Sequence, residues 1–187
     1  MTAKALKAAP ARERILDAAL RLFYRDGVRA TGIDTIIAQA GVAKMSFYNN
    51  FPSKDDLVRA YLAARHENWM RMFSQRVERH LPGQGLGALA TALAEWFEEP
   101  DFRGCAFINV VSEFGLDFEE AVRHKAELEA FVRDIAVRLD LLAPERVATE
   151  VMILIEGAIV RRQMSFDAGL KDSLLARLSM VERSASK

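Results

Sequence analysis

The sequence predicts an all-α protein in which a three-helix N-terminal lobe, containing a helix-turn-helix, precedes a larger helical lobe. Apolar residues recur every three to four positions along most of the chain. Gly27, Gly41 and Pro52 interrupt that pattern within the first sixty residues, and Pro82, Pro100 and Gly104 interrupt it afterwards. The chain has 187 residues, of which 51% are hydrophobic and 28% charged. Such a composition excludes a chain dominated by disorder.

The first two predicted helices are separated by a turn. The first begins near Ala11 and ends at Asp26-Gly27, where glycine can adopt the left-handed conformation. Its apolar side chains share one face: Ile15, Ala19, Leu22 and Phe23. Thr31 is the expected N-cap of the second helix, which ends at Gly41.

A short third helix and a long fourth helix follow. The third is predicted over Val42–Tyr48, and Pro52 separates it from the fourth. Ser53 and Asp56 form a capping box, so the fourth helix begins there and reaches at least Phe73. A helix, a glycine-containing turn and a short helix are typical of a helix-turn-helix. The same spacing also fits three helices that pack only for stability.

Five further helices are predicted after a loop over residues 82–87. Their expected ranges are Leu86–Glu98, Phe102–Phe114, Asp117–Leu142, Glu145–Met164 and Leu170–Val181. The predicted organisation is a flexible arm over residues 1–10, a helix-turn-helix domain over 11–57, a second domain over 58–183 and a tail over 184–187.

The chemistry of the short third helix favours a binding role. Val42 and Phe47 are the apolar residues able to anchor it. The residues left to face outward are Lys44, Met45, Ser46, Tyr48, Asn49 and Asn50. Their polar groups can bond phosphate oxygens and base edges, and a thioether can contact a thymine methyl. The first sixty residues also carry a net charge of +4 and the remainder −4, which favours a polyanion partner for the N-terminal lobe.

The run from Thr31 to Leu57 resembles the DNA-binding signature of the TetR family of bacterial transcriptional regulators. The pattern covers about residues 12–60 and is most specific at Ala40-Gly-Val and at Phe47-Tyr-x-x-Phe-x-x-Lys. One position departs from it, because Gly32 stands where the family usually has Ser or Thr.

This resemblance implies a role for each matching residue. Contacts with the DNA backbone are implied for Thr31, Ser46, Tyr48 and Lys54. Approach to base edges in the major groove is implied for Lys44, Met45 and Asn49, with Asn50 at its margin. Tyr48 also fits a mainly buried position with its hydroxyl at the rim, and Met45 fits a space-filling role.

The resemblance also implies an effector pocket in the second domain, for a small apolar or aromatic molecule. Cys105, Asn109 and Glu113 recur at helical spacing and form the expected polar wall. The expected apolar lining is Trp69, Phe73, Trp96, Phe97 and Phe107. A polar seam between packed helices, with Cys105 as a small core residue, explains the same pattern.

The last two helices predict a homodimer. The expected interface consists of Val147, Val151, Leu154, Ala158, Leu170, Leu174, Leu178 and Val181. On the predicted helix Glu145–Met164, a second apolar stripe contains Met152, Ile155 and Ile159. This helix must therefore be covered on two faces. Both stripes can also be buried within one monomeric core. Glu156 lies within this apolar run and is expected to pair with Arg161 or another cation, with a position facing the effector as the alternative.

The expected function is a cytoplasmic DNA-binding repressor that a small effector releases from a pseudo-palindromic operator. No cofactor, metal or membrane partner is expected. His66, His80 and His124 lack metal-ligand spacing, and no catalytic fingerprint is present. A lone cysteine, Cys105, fits a reducing compartment. A small helical enzyme and a non-specific nucleoid-type DNA binder are the alternatives.

Overall fold

The computed structural model describes residues 9–186, and within them the chain forms nine helices and no strand. The prediction of an all-α fold is therefore confirmed. The helices are α1 (Ala11–Asp26), α2 (Ile33–Ala40), α3 (Lys44–Asn50), α4 (Lys54–Gln84), α5 (Gly87–Phe97), α6 (Ala106–Phe114), α7 (Glu119–Arg138), α8 (Pro144–Gln163) and α9 (Leu170–Ala185). No described helix is both long and apolar enough to cross a membrane.

By the contacts between its residues, the chain divides into two compact units. The first contains residues 9–67 and Ala106–Ala121, and the second contains Asn68–Cys105 and residues 122–186. Helix α6 therefore belongs to the same unit as the helix-turn-helix. The sequence prediction instead assigned those residues to the second domain, over 58–183.

The core of the first unit explains why three short helices are stable together. Ile15 of α1, Ile36 of α2 and Phe47 of α3 are each completely buried. Phe23 packs edge-on against Tyr61 of α4, with the ring centroids 5.3 Å apart. Helix α1 contacts both α2 and α3, so it is the support on which the helix-turn-helix rests.

The turn between α2 and α3 is held by backbone and side-chain bonds. Gly41 adopts φ +61° and its N–H donates to the Ala38 and Ile37 carbonyls, as predicted for a helix-ending glycine. Arg14 of α1 donates from Nη1 to the Ala40 and Gly41 carbonyls at 3.2 and 3.0 Å. A guanidinium thus neutralises the C-terminal end of α2.

The prediction that Thr31 caps α2 is wrong. Gly32 is the N-cap, and no side chain bonds to the first turn. Thr31 is buried, and its hydroxyl donates to the Gly27 carbonyl at 2.7 Å. The hydroxyl therefore closes the preceding turn and does not begin the helix.

Several other helix boundaries differ from the predictions, among them those of α3 and α4. Helix α3 covers Lys44–Asn50 and so begins two residues later than expected. Helix α4 reaches Gln84 and includes Pro82. The capping box at the start of α4 is confirmed, because Ser53 N–H donates to the Asp56 carboxylate at 3.0 Å and Asp56 N–H donates to the Ser53 hydroxyl at 3.1 Å.

In the second unit, helix α9 packs on both α5 and α8. Glu182 of α9 accepts a hydrogen bond from the Leu86 N–H at 2.6 Å and so fixes the start of α5. Most of the predicted dimer stripe is buried within the chain itself. The residues buried within the single chain are Val147, Val151, Ala158, Leu174 and Leu178. That part of the prediction is wrong, because side chains already buried by their own chain have no surface left for a partner.

Candidate nucleic-acid interface

Helix α3 exposes a polar face that is anchored from below by one aromatic side chain. Phe47 is completely buried and lies 5.3 Å from the Tyr48 ring and 6.4 Å from the Phe51 ring, between centroids. Lys44, Met45 and Asn49 are exposed, as the sequence predicts. Because seven residues make barely two turns, the orientation of α3 depends on this anchor.

Met45 and Tyr48 are the large apolar side chains exposed on α3. Met45 is 71% exposed, too open for a space-filling residue of the core. Tyr48 is 39% exposed, and its ring packs edge-on against Phe47. The phenol is therefore both supported by the core and open to an approaching molecule.

Lys44 already has an anionic neighbour on the adjacent helix. Its Nζ lies 3.8 Å from Oδ1 of Asp34 on α2, and both side chains are largely exposed. An exposed pair of this kind contributes little to stability. Little free energy is therefore lost when the Lys44 ammonium leaves Asp34 for an anion that binds it more strongly.

Ser46 and Asn50 are half-buried at the edge of this face. Asn50 Nδ2 donates to the Ser46 carbonyl at 2.7 Å. A carboxamide N–H is thus used within the last turn of α3, and Asn50 lies at the edge of the exposed face.

Lys54 is half-buried at the first residue of α4. Burial lowers the pKa of its ammonium, while the charges of Glu113 and Asp55 act in the opposite direction. Helix N-termini favour phosphate through their free N–H groups. The position of Lys54 is therefore suited to a contact with a phosphate group of a DNA backbone.

Two other residues of the predicted nucleic-acid and effector sites have different partners in the structure. Thr31 bonds inward to the Gly27 carbonyl, so its hydroxyl is not available to a phosphate. Glu113, expected in the effector pocket, accepts hydrogen bonds from the N–H groups of Val28 and Arg29 within the first unit. Sequence spacing gave no signal for this contact, since its partners lie 84 and 85 residues away.

Several aromatic residues predicted for the pocket do lie together in the second unit. Trp69 stacks on Phe73 with centroids 4.6 Å apart and meets Trp96 edge-on at 5.4 Å. Among the described residues Trp69 Nε1 is buried and has no hydrogen-bond partner. Phe97 lies 5.8 Å from Trp96, between centroids. A buried indole donor without a partner is uncommon and is suited to a ligand acceptor.

The remaining predicted pocket residues are divided between the units. Cys105 is buried as a free thiol in the second unit and precedes α6, so it is not on the same helix face as Asn109. Phe107 and Asn109 belong to the first unit. Two residues that sequence reasoning missed join the aromatic group: Phe102, 4.9 Å from Trp96, and the buried His124, 5.4 Å from Trp69.

Charged groups elsewhere in the second unit form structural pairs. Glu156 lies 3.2 Å from Nζ of Lys125, so its expected pairing with a cation is confirmed and the cation is Lys125.

Between residues 9 and 186 no group of three or more His, Cys, Asp or Glu residues is arranged to hold a metal ion.

The helix-turn-helix and the whole fold both match known proteins. The profile described as "Bacterial regulatory proteins, tetR family" matches residues 15–61. A putative TetR transcriptional regulator from Streptomyces avermitilis is 30% identical, with 95% of this chain and 98% of that chain covered and a TM-score of 0.76. SCO4454, a TetR-family transcriptional regulator from Streptomyces coelicolor, is 26% identical, with 95% and 97% covered and a TM-score of 0.82.

A curated relative matches only around the helix-turn-helix. YvkB of Bacillus subtilis (strain 168), an uncharacterized HTH-type transcriptional regulator, is 39% identical over 59 residues, which are 32% of this chain and 31% of YvkB. The match thus spans about a third of that relative. The similarity to the Streptomyces avermitilis protein, in contrast, extends over nearly the full length of both chains. With a matching helix-turn-helix and a matching all-helical fold, the chain belongs to the TetR family of bacterial transcriptional regulators.

Proposed function

We propose that the protein is a repressor that binds a pseudo-palindromic operator as a homodimer and is released by a small-molecule effector. The observation that carries the proposal is the outward face of α3. Lys44, Met45, Tyr48 and Asn49 are exposed there on a helix that Phe47 anchors. A helix with such a face enters the major groove in helix-turn-helix proteins.

The chemistry of these side chains assigns them different contacts with DNA. Lys44 and Asn49 carry groups that bond base edges, and Met45 is suited to apolar contact with a thymine methyl. Tyr48, Ser46 and Lys54 surround them with a phenol, a hydroxyl and an ammonium, which are suited to phosphate oxygens. One seven-residue helix reaches few bases, so a specific site requires two copies.

The exposed face of α8 supports the homodimer and replaces most of the stripe predicted from sequence. Ile153 is 67% exposed and Val160 41% exposed, and Gly157 lies between them on the same face. A Cβ placed on Gly157 would have no atom within 4 Å apart from its chain neighbours and the backbone of its own helix. Glycine inside a helix costs about 0.5–1 kcal/mol relative to alanine, and no packing within the chain requires it here. A partner helix that approaches closely would explain it.

Helix α9 extends this surface. An open groove of about 330 Å³ runs between α8 and α9, with Ile153, Gly157 and Arg161 on one side and Leu170 and Arg177 on the other. Two helices from each copy would form a four-helix interface with two-fold symmetry. Leu154, Leu170 and Val181 are half-buried and remain in the proposed interface.

The aromatic group of the second unit supports an apolar or aromatic effector that carries a hydrogen-bond acceptor. Trp69, Phe73 and Trp96 supply flat apolar surfaces. The buried Nε1 of Trp69 supplies the donor. An effector acts only through its different affinities for the two states of the protein, typically about 1–3 kcal/mol of coupling.

Selection of bound duplexes from a random pool tests the proposed function. We expect an enriched pseudo-palindrome with half-sites about 34–36 Å apart or a multiple of that distance. Equal competition by random DNA would contradict the proposal and favour a non-specific nucleoid-type binder. Conversion of small aromatic molecules, without specific DNA binding, would favour an enzyme.

A further inference from the structure

The carboxylate of Glu113, on α6, bonds to the backbone of the turn between α1 and α2. Oε1 accepts a hydrogen bond from the Val28 N–H at 3.1 Å, and Oε2 accepts one from the Arg29 N–H at 2.6 Å. All three residues lie in the first unit. Both carboxylate oxygens are therefore engaged by two consecutive amides, which is a directional arrangement with charge-assisted bonds.

The turn is shaped to receive this carboxylate. Gly27 adopts φ +89°, a conformation that side chains disfavour. A Cβ at Gly27 would lie 3.2 Å from Oε1 of Glu113, closer than ordinary contact. On the other side, the Thr31 hydroxyl donates to the Gly27 carbonyl. The turn is thus fixed from both directions just before α2 begins at Ile33.

A neighbouring contact ties the same two segments together. The Arg29 guanidinium lies over the Phe114 ring, 4.9 Å from its centroid. Phe114 in turn packs edge-on against Phe118, whose ring carries Arg59 of α4 at 5.2 Å. The end of α6 therefore contacts the α1–α2 turn, and Phe118 in the segment after α6 contacts α4.

Glu113 also acts electrostatically on Lys54. Its negative charge raises the pKa of the Lys54 ammonium against the effect of burial. Burial is the larger effect and the pKa of Lys54 is lowered on balance, so the carboxylate offsets only part of the effect of burial at the start of α4.

We propose that Glu113, although outside the helix-turn-helix, is a positioning residue for DNA binding that holds the α1–α2 turn in the geometry the operator requires. The inference rests on the proposed function, because it concerns the affinity for DNA. Glu113 contacts no phosphate in this proposal. It acts through the Val28 and Arg29 amides.

Whether DNA binding becomes weaker or stronger distinguishes a positioning role of Glu113 from a simple effect of its charge. Loss of a negative charge from a DNA-binding unit strengthens its attraction to a polyanion. Positioning predicts the opposite for Glu113→Gln, because the amide oxygen accepts from only one of the two N–H groups and its NH₂ faces the other. Asp117→Asn makes the same charge change at an exposed residue of the same unit and is the matched control.

The experiment measures affinity for a selected operator, by fluorescence anisotropy across a salt series, for the wild type, Glu113→Gln, Glu113→Ala and Asp117→Asn. We expect about tenfold weaker binding for both Glu113 variants with an unchanged salt slope. Asp117→Asn should bind as tightly as the wild type or more tightly. Amide hydrogen exchange of the free proteins is measured in parallel and should accelerate at Val28 and Arg29 in Glu113→Ala but not at Leu22 within α1.

Each other outcome overturns the proposal. Glu113 variants that bind like Asp117→Asn would show that only charge is involved. Faster exchange throughout the first unit would show general unfolding in place of a local role. A wild type without sequence-specific binding would remove the proposed function itself, a failure that is visible before any variant is examined.

Discussion

At the residue scale, polar side chains of the first unit stabilise the backbone around the helix-turn-helix. Arg14 donates to the carbonyls that end α2, Thr31 closes the turn before it, and Glu113 accepts from the amides of that turn. None of these groups belongs to the exposed face of α3. The position of that face therefore depends on side chains that would not themselves contact DNA.

Replacement of Arg14 should destabilise the protein. Arg14→Ala leaves the Ala40 and Gly41 carbonyls without their guanidinium donor, and bonds to charged groups contribute about 1.5–3 kcal/mol each. Because Arg14 is partly exposed, we expect a loss near the lower value in the free energy of unfolding, measured by urea denaturation. Arg21→Ala on the same helix removes only an exposed ion pair with Asp17 and should cost less than about 1 kcal/mol. Equal losses would argue against the role of Arg14.

Lys44 should contribute to sequence specificity, and Lys54 should contribute to sequence-independent affinity for DNA. Lys44→Ala should relax base preference at one position in each half-site, at a cost of about 1–3 kcal/mol in discrimination. Lys54→Ala should weaken binding to all sequences alike and lower the salt slope by about one unit. Selected pools and salt titrations measure both effects. Identical base preferences and identical slopes in the two variants would contradict this division.

At the element scale, α8 illustrates what helical periodicity leaves undecided. The sequence predicts two apolar stripes on this helix, but their spacing is the same whether a stripe meets the core or a partner. Val147 and Val151 are buried in the core of the second unit, and Ile153 and Val160 are exposed. The choice depends on which helices pack on α8, α9 among them, so tertiary packing decides it.

A charge on the exposed stripe of α8 should separate the proposed dimer. Ile153→Glu places a carboxylate where a partner helix would exclude water, and such burial is costly without a partner charge. We expect a monomer by sedimentation velocity and at least tenfold weaker operator binding. Val137→Glu, on the exposed face of α7, is the control and should leave the mass unchanged. A dimeric Ile153→Glu would exclude this face as the interface.

At the scale of the whole molecule, local signals in the sequence predicted more than long-range ones. The helices, the turn at Gly41, the capping box at Ser53 and the outward side of α3 follow from spacing and local chemistry, and the structure confirms them. Two features had no local signal. Glu113 bonds to a turn more than eighty residues away, and α6 joins the first unit across an intervening segment.

The central claim is that the exposed face of α3 reads the major groove. Methylation interference on the selected operator tests it directly, because guanine N7 lies in the major groove and adenine N3 in the minor groove. We predict that N7 methylation blocks binding in two half-sites whose centres lie about 34–36 Å apart or a multiple of that distance. Interference confined to adenine N3, or absent from both grooves, would contradict the account.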